Sequence, residues 1–238
     1  MNKKILIFTA TYNEAENIRK FIEKILELNV KLDLLVIDDN SPDETWKIVN
    51  EYKKENENII LVKRENKEGL DTAHKLAFNY AKEHNYDYLI TMDADLSHDP
   101  KEIPKIINLL DNNAFVIGSR YMPGGKNDMT KLRLLLSIVG NKFIKIFLGS
   151  EGTEFTSSFR GFNLNKIKNF HFKEVESKGY SFFMETVIRI NMLGHKSYEI
   201  PIHFKNREFG TSKIPKIEIF RTLFNVFKLF LKKNKLVK

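Results

Sequence analysis

No cysteine occurs among the 238 residues, which excludes a disulfide framework, a thiolate nucleophile and any cysteine-ligated zinc site. That absence fits a reducing compartment. Also missing is any uninterrupted apolar run of the roughly 20 residues that a bilayer span requires. Residues 132–148 (LRLLLSIVGNKFIKIFL) and 217–231 (IEIFRTLFNVFKLFL) come nearest, but Arg133, Lys142, Lys145, Arg221 and Lys228 break them. After MNKK the chain offers only ILIF before polar residues take over, too little for a signal peptide and enough for a first strand. No Gly-x-Gly-x-x-Gly follows that strand, and no Gly-rich loop ends in Lys-Ser or Lys-Thr, so dinucleotide binding and P-loop hydrolysis are disfavoured. The six histidines lack zinc spacing, and none has an evident nucleophile partner.

What is present suffices for a substantial core, with 42% hydrophobic and 12% aromatic residues. The first half alternates short β-rich runs with helical periodicity. ILIFTA precedes Ile18, Phe21, Ile22, Ile25 and Leu26 at spacings of three and four, and LLVID precedes Trp46, Val49 and Tyr52. IILVKR, YLITMD and FVIGS are further strand candidates, separated by helical segments at 69–84 and 100–111. Alternation of this kind predicts crossover units and an α/β fold with a mostly parallel sheet. Ligands of such sheets sit outside the carboxyl ends of the strands. Those ends read TYNE (11–14), DDNSPD (38–43), DADLSHDP (93–100) and GSRY (118–121), so acidic clusters and an arginine are expected on one rim.

The Asp-x-Asp pair of DADLSHDP is weak by itself, because acids at strand ends often only cap the next helix. A calcium loop beginning at Asp93 would need glycine at its sixth place and glutamate at its twelfth, where His98 and Pro104 stand. A hard divalent cation, Mg²⁺ or Mn²⁺, held by one or two carboxylates and completed by substrate phosphates and water, remains. His98 reads equally well as a capping or packing residue. Arg120, Arg133, Arg160, Arg207 and Lys213 are the cations that would face a departing diphosphate.

Together, TYNEAENI, DDNSPDET, DADLSHDP, GSRY, EFTSSFRGF, KGYSFFMETVIRI and EIPIHFKNREFGTSKI follow one another in an order that resembles glycosyltransferase family 2. Within it they resemble the dolichyl-phosphate mannose synthase branch of polyprenyl-phosphate glycosyltransferases. The resemblance implies a GT-A type, Rossmann-like catalytic domain over residues 1–215. It implies nucleotide-sugar contacts from Ala10, Tyr12, Glu14, Ile37, Asp39, Asp93, Ala94 and Asp95, and a metal on Asp93, Asp95 and Ser97. Asp95, Arg120, Arg207 and Lys213 would carry catalysis by gripping the diphosphate, and Arg133, Ser137 and Arg160 would meet the lipid phosphate. Residues 205–213, with Gly210 as pivot, would close over bound nucleotide. The sequence departs from the family pattern at Ala10, Glu154 and Asp71, and none of these removes a metal ligand.

The reaction so implied is attack of a lipid monophosphate on the anomeric carbon of a nucleotide sugar, with inversion. A phosphate monoester has a second pKa near 6, so it needs no strong general base, and none is conspicuous. A sugar-hydroxyl acceptor would need one. GDP-mannose is the first expectation for the donor, with UDP-glucose and UDP-N-acetylhexosamine left open and dolichyl or another polyprenyl phosphate as acceptor.

From residue 201 onward 10 Lys or Arg stand against 2 Asp or Glu, which accounts for the whole net charge of +8. In residues 216–238 a polar stripe of Glu218, Arg221, Thr222, Asn225, Lys228 and Lys232 opposes a wide face of Phe220, Leu223, Phe224, Phe227, Phe230 and Leu231. That layout predicts an amphipathic helix lying in a membrane interface, peripheral on the cytoplasmic face. A docking helix packed on the domain is the competing reading. Nucleic acid is not expected as a partner, because the phenylalanines share one helical face instead of alternating with basic residues. A non-catalytic basic binding module is the remaining alternative, and recruitment of a membrane-spanning partner is left open.

Overall fold

The computed structural model describes residues 3–149, 151–207 and Asn225. Strands and helices alternate where the apolar pattern predicts them: β1 (Ile5–Thr11), α1 (Ala15–Leu26), β2 (Asp33–Asp38), α2 (Thr45–Glu55), β3 (Ile59–Lys63), α3 (Leu70–Glu83), β4 (Tyr88–Thr91), α4 (Ile103–Leu110) and β5 (Phe115–Ser119). Beyond them come β6 (Lys126–Asn127), α5 (Lys131–Leu148), β7 (Arg160–Asn163), α6 (Tyr180–Met192), β8 (Ser197–Pro201) and β9 (His203–Phe204). Lys213, Gly210 and the predicted helix of residues 216–238 lie outside the described residues, save Asn225, which donates to Ser181 Oγ at 2.8 Å.

The main sheet runs β3-β2-β1-β4-β7-β5-β8, parallel except for β7, which is antiparallel to both neighbours. The inner strands β1, β2, β4 and β5 are buried on both faces, so they read as continuous apolar runs. In β1, Leu6 and Phe8 join a core shared with α3 and α6, while Ile5 and Ile7 join a second core shared with α1 and α4. Each such side chain, fully enclosed, contributes roughly 1.5–3 kcal/mol. Helix α4 packs so closely on β7 that a Cβ at Gly161 would stand 2.5 Å from Ile106 Cγ2. Gly161→Ala would therefore force the Ile106 and Leu110 side chains to move.

Chain direction across the sheet reverses at β1, whose neighbours are β2 on one side and β4 on the other. A crevice opens at such a switch point, outside the carboxyl ends of the strands. Thr11, Asp38 and Asp93 all lie there, at or just beyond the ends of β1, β2 and β4. β6 and β9 form a separate two-stranded parallel ribbon that brings residues 203–207 to the same rim.

Candidate active site

The exits of β1 and β2 are tied together by side chains that cap each other's loops. Buried Asp38 accepts from Thr11 Oγ1 at 2.7 Å, Ser41 N at 2.8 Å and Ser41 Oγ at 2.6 Å. Asn13 N donates to Ser41 Oγ at 3.1 Å and Ala15 N to Asp43 Oδ2 at 2.9 Å. Asn13 and Asn40 turn the chain with φ of 57° and 54°, a region asparagine tolerates. Ala10, Tyr12, Glu14 and Asp39 are thereby held on one rim. The Ile37 side chain is fully buried in the core, so only its main chain faces that way.

Asp39 has a partner that the sequence did not disclose. Arg64, just past β3, forms an ion pair with Asp39 and donates to Thr72 Oγ1 at 2.6 Å and Gly69 O at 3.1 Å. Gly69, at φ 99°, donates its own N–H to Asp39 Oδ2 at 3.1 Å. Asp71 follows in the first turn of α3, buried, where the helix N-terminus favours a carboxylate. Lys67 Nζ lies 3.7 Å from the centroid of the Tyr12 ring.

Past β4, Leu96 adopts φ 59°, rare for a leucine, and the turn it makes lets Ser97 N donate to Asp95 Oδ1 at 3.0 Å. Asp95 Oδ2 accepts from Arg207 Nε at 2.7 Å. The Asp93 side chain keeps 37% of its surface open, and its Oδ2 is 3.9 Å from His98 Nδ1. Partial burial, opposed by His98 and reinforced by Asp95, shifts the Asp93 carboxyl above the usual carboxylate range. His98 is a packing residue, its ring 5.3 Å from Phe159 and 5.4 Å from Phe204, and burial lowers its pKa despite Asp93 and Asp95 nearby.

On the other side of the cleft, Arg120 Nε donates to Glu154 Oε2 at 2.7 Å, and its guanidinium lies 4.6 Å from the centroid of Phe204. Glu154 also accepts from Thr156 N, Thr156 Oγ1 and Ser157 N. Tyr121 OH hydrogen-bonds Ser137 Oγ, which brings Ser137 of α5 to this side. The Arg133 side chain lies outside the described residues. Arg160, expected from the resemblance at the lipid phosphate, is placed elsewhere: it is 1% exposed and spends its donors on the carbonyls of Ser157, Phe155 and Phe183. Its guanidinium braces the entry to β7 from inside the core.

The donor set fits a hard cation. Asp93 and Asp95 supply carboxylates, and Ser97 Oγ, two residues further along the same turn, is buried with no hydrogen-bond partner. No group of three His, Cys, Asp or Glu able to ligate one ion occurs among the described residues, so most of the coordination would come from phosphate and water. Mg²⁺ and Mn²⁺ are held in that way.

The model of glycosyl transferase family 2 matches residues 6–170. The chain belongs to that family. Among curated relatives, undecaprenyl-phosphate mannosyltransferase of Micrococcus luteus is 33% identical over 212 residues, covering 89% of this chain and 87% of the relative. Polyprenol monophosphomannose synthase of Mycolicibacterium smegmatis is 31% identical over 227 residues, covering 94% and 86%. Among solved structures, glucosyl-3-phosphoglycerate synthase of Mycobacterium tuberculosis with UDP superposes with a TM-score of 0.68 at 15% identity, over 96% of this chain and 80% of that one. A mannosyltransferase of Pyrobaculum calidifontis, solved with GDP-Man and Mn²⁺, gives 0.60 at 16%, over 98% of this chain and 65% of that one. The sheet with flanking helices is thus the GT-A fold of this glycosyltransferase family, as the sequence predicts.

Proposed function

We propose that this glycosyltransferase moves a mannosyl group from GDP-mannose to a polyprenyl phosphate, with a divalent metal and inversion at the anomeric carbon. The observation that carries the reading is the meeting of Asp93, Asp95 and Arg207 on the rim that also holds Tyr12, Glu14 and Asp39. Relatives named as polyprenol-phosphate mannosyltransferases, aligned over about nine tenths of the chain, support the choice of sugar and acceptor.

In this reading Asp39, fixed by Arg64 and Gly69, accepts from hydroxyls or ring nitrogens of the donor nucleoside. Asp93, Asp95 and Ser97 hold the cation. When bound, it draws off charge that develops on the diphosphate as the glycosidic bond breaks. Arg207 adds a guanidinium on the same side. The acceptor phosphate, largely dianionic at neutral pH, attacks the anomeric carbon from the opposite face. The new carbon–oxygen bond forms as the bond to the diphosphate breaks, and no side chain has to remove a proton.

Peripheral membrane attachment is part of the proposal. No helix of the described residues is long and apolar enough to cross a membrane. Helix α5 exposes Leu135, Val139 and Ile146 on one face, a surface suited to lipid. The basic segment 216–238 supplies charge for anionic headgroups.

Incubation of the purified chain with labelled GDP-mannose, Mn²⁺ and a polyprenyl phosphate, followed by extraction into organic solvent, tests the reaction. Label is expected in the organic phase with GDP-mannose and not with UDP-glucose or UDP-N-acetylhexosamine. Transfer from a UDP sugar in preference would replace the donor, and no transfer from any of the three would end the proposal.

A further inference from the structure

From β9 onward to residue 207, every second residue reaches an acid. His203 Nε2 lies 2.7 Å from Asp128 Oδ1, Lys205 Nζ 3.1 Å from Asp99 Oδ2, and Arg207 Nε 2.7 Å from Asp95 Oδ2. The main chain adds a further tie, with Lys205 N donating to Ser97 O at 3.0 Å. Two of these pairs, and that main-chain bond, end on the turn between β4 and α4 that carries the proposed metal ligands.

The consequence is steric and electrostatic. With one oxygen bonded to Ser97 N and the other covered by Arg207, Asp95 is only 2% exposed. A Mg²⁺ or Mn²⁺ ion must approach a carboxylate oxygen to about 2.1 Å, and the guanidinium already takes one of the two lone pairs of Oδ2 and sets a positive charge beside it. Two cations at such separation also repel each other. The arginine and the metal therefore compete for the Asp95 carboxylate.

We infer that Arg207 is a placeholder on Asp95 that a divalent cation must displace, and that Lys205, through Asp99 and the Ser97 carbonyl, is the positioning residue that sets its reach. This rests on the metal reading of Asp93 and Asp95 given above. A displaced guanidinium needs another anion, and a diphosphate on the cation is the nearest chemistry able to accept it in bidentate fashion. Metal and nucleotide then bind cooperatively: either alone must act against the Arg207–Asp95 pair, and together they offer the arginine a new partner. Lys205 stays on Asp99 throughout, so the chain pivots between residues 205 and 207 without leaving the ribbon.

Mn²⁺ binding to the full chain, followed by electron paramagnetic resonance with and without GDP, tests this without reference to turnover. Arg207→Met is expected to bind Mn²⁺ alone about tenfold more tightly than the unaltered chain, and to gain less affinity when GDP is added. Lys205→Gln, which loosens the arm without removing the guanidinium, is expected to shift Mn²⁺ affinity the same way by less, with Lys205→Arg restoring it. Unchanged or weaker binding of Mn²⁺ alone by both Arg207→Met and Lys205→Gln overturns the inference while leaving the metal site intact. Failure of the unaltered chain to bind Mn²⁺ even with GDP present overturns the metal reading itself, and the placeholder with it.

Discussion

Arg120 and Glu154 form an ion pair at 2.7 Å in which the carboxylate is fully enclosed and the guanidinium 11% exposed. The pair joins the loop after β5 to the loop before β7, two segments 34 residues apart in sequence. Glu154 spends its remaining acceptor capacity on the main chain and side chain of its own loop, so the pair shapes this wall of the cleft from behind.

Removing Glu154 therefore strands a buried cation and three loop donors. Glu154→Ala is expected to cost about 3–5 kcal/mol of folding stability, the range for breaking one side of a buried pair. Urea unfolding checks it, and a loss under about 1 kcal/mol would contradict the enclosure described. Burial pushes the Glu154 carboxyl upward, but Arg120 and the Thr156 donors outweigh it and hold it below its ordinary value of 4.5. Its contribution is thus fully present above that value and fades as pH falls through the lower folded one. The variant should lack that acid-side decline.

A second pH dependence comes from His74, enclosed by Phe8 at 4.9 Å, Phe183 at 5.0 Å and Phe182 at 5.6 Å. Burial, with Arg160 adding to it, lowers its pKa from 6.5 to about 3. The unfolded chain takes up a proton that the folded chain refuses, so stability drains as pH drops from 6.5 towards 3 and is whole above 6.5. His74→Phe should flatten the stability curve across that window, measured by denaturant midpoints at successive pH values. An unchanged slope would mean the imidazole is not shielded.

Asp95→Ala removes a proposed metal ligand and the anchor of Arg207 together. Transfer should be lost, and more than about a tenth of activity surviving at saturating Mn²⁺ would argue that Asp95 has no part in the transition state, since each tenfold corresponds to about 1.4 kcal/mol.

The exposed row on α5 makes a prediction about membranes. Replacing Leu135, Val139 and Ile146 with glutamate should reduce sedimentation with anionic liposomes while leaving the unfolding midpoint within about 0.5 kcal/mol, because all three are surface positions. Equal sedimentation would remove α5 from the membrane contact.

Five strands of the sheet could be read from the chain: burial on both faces leaves the same apolar signature in β1, β2, β4 and β5, and the edge strand β3 carries the mostly β-branched run IILV. The strand β7 could not: RGFN is short, opens with a charge and contains a glycine, and its strand character comes from its neighbours β4 and β5. Asp93 and Asp95 were legible as a pair after an apolar run. Arg160 misled for a physical reason, since a guanidinium is seldom buried and only three-dimensional placement reveals carbonyls waiting for it. Arg64 went unnoticed because it stands among ordinary loop charges, and its significance lies in facing Asp39 across a turn. The contact of Lys205 with Asp99 spans 106 residues, beyond the reach of any local pattern.

Because β7 runs against its neighbours, the excursion from residue 120 to residue 159 both departs from and returns to the cleft edge. Its two ends are anchored at strand tips, and nothing in the strand order depends on its length. Apart from β6 and Asp128, which hold β9, that stretch could therefore be rebuilt to admit a different hydroxyl or phosphate while β1 to β4 and the proposed nucleotide contacts at their ends stay in place, a modular division that would let one scaffold serve many recipients.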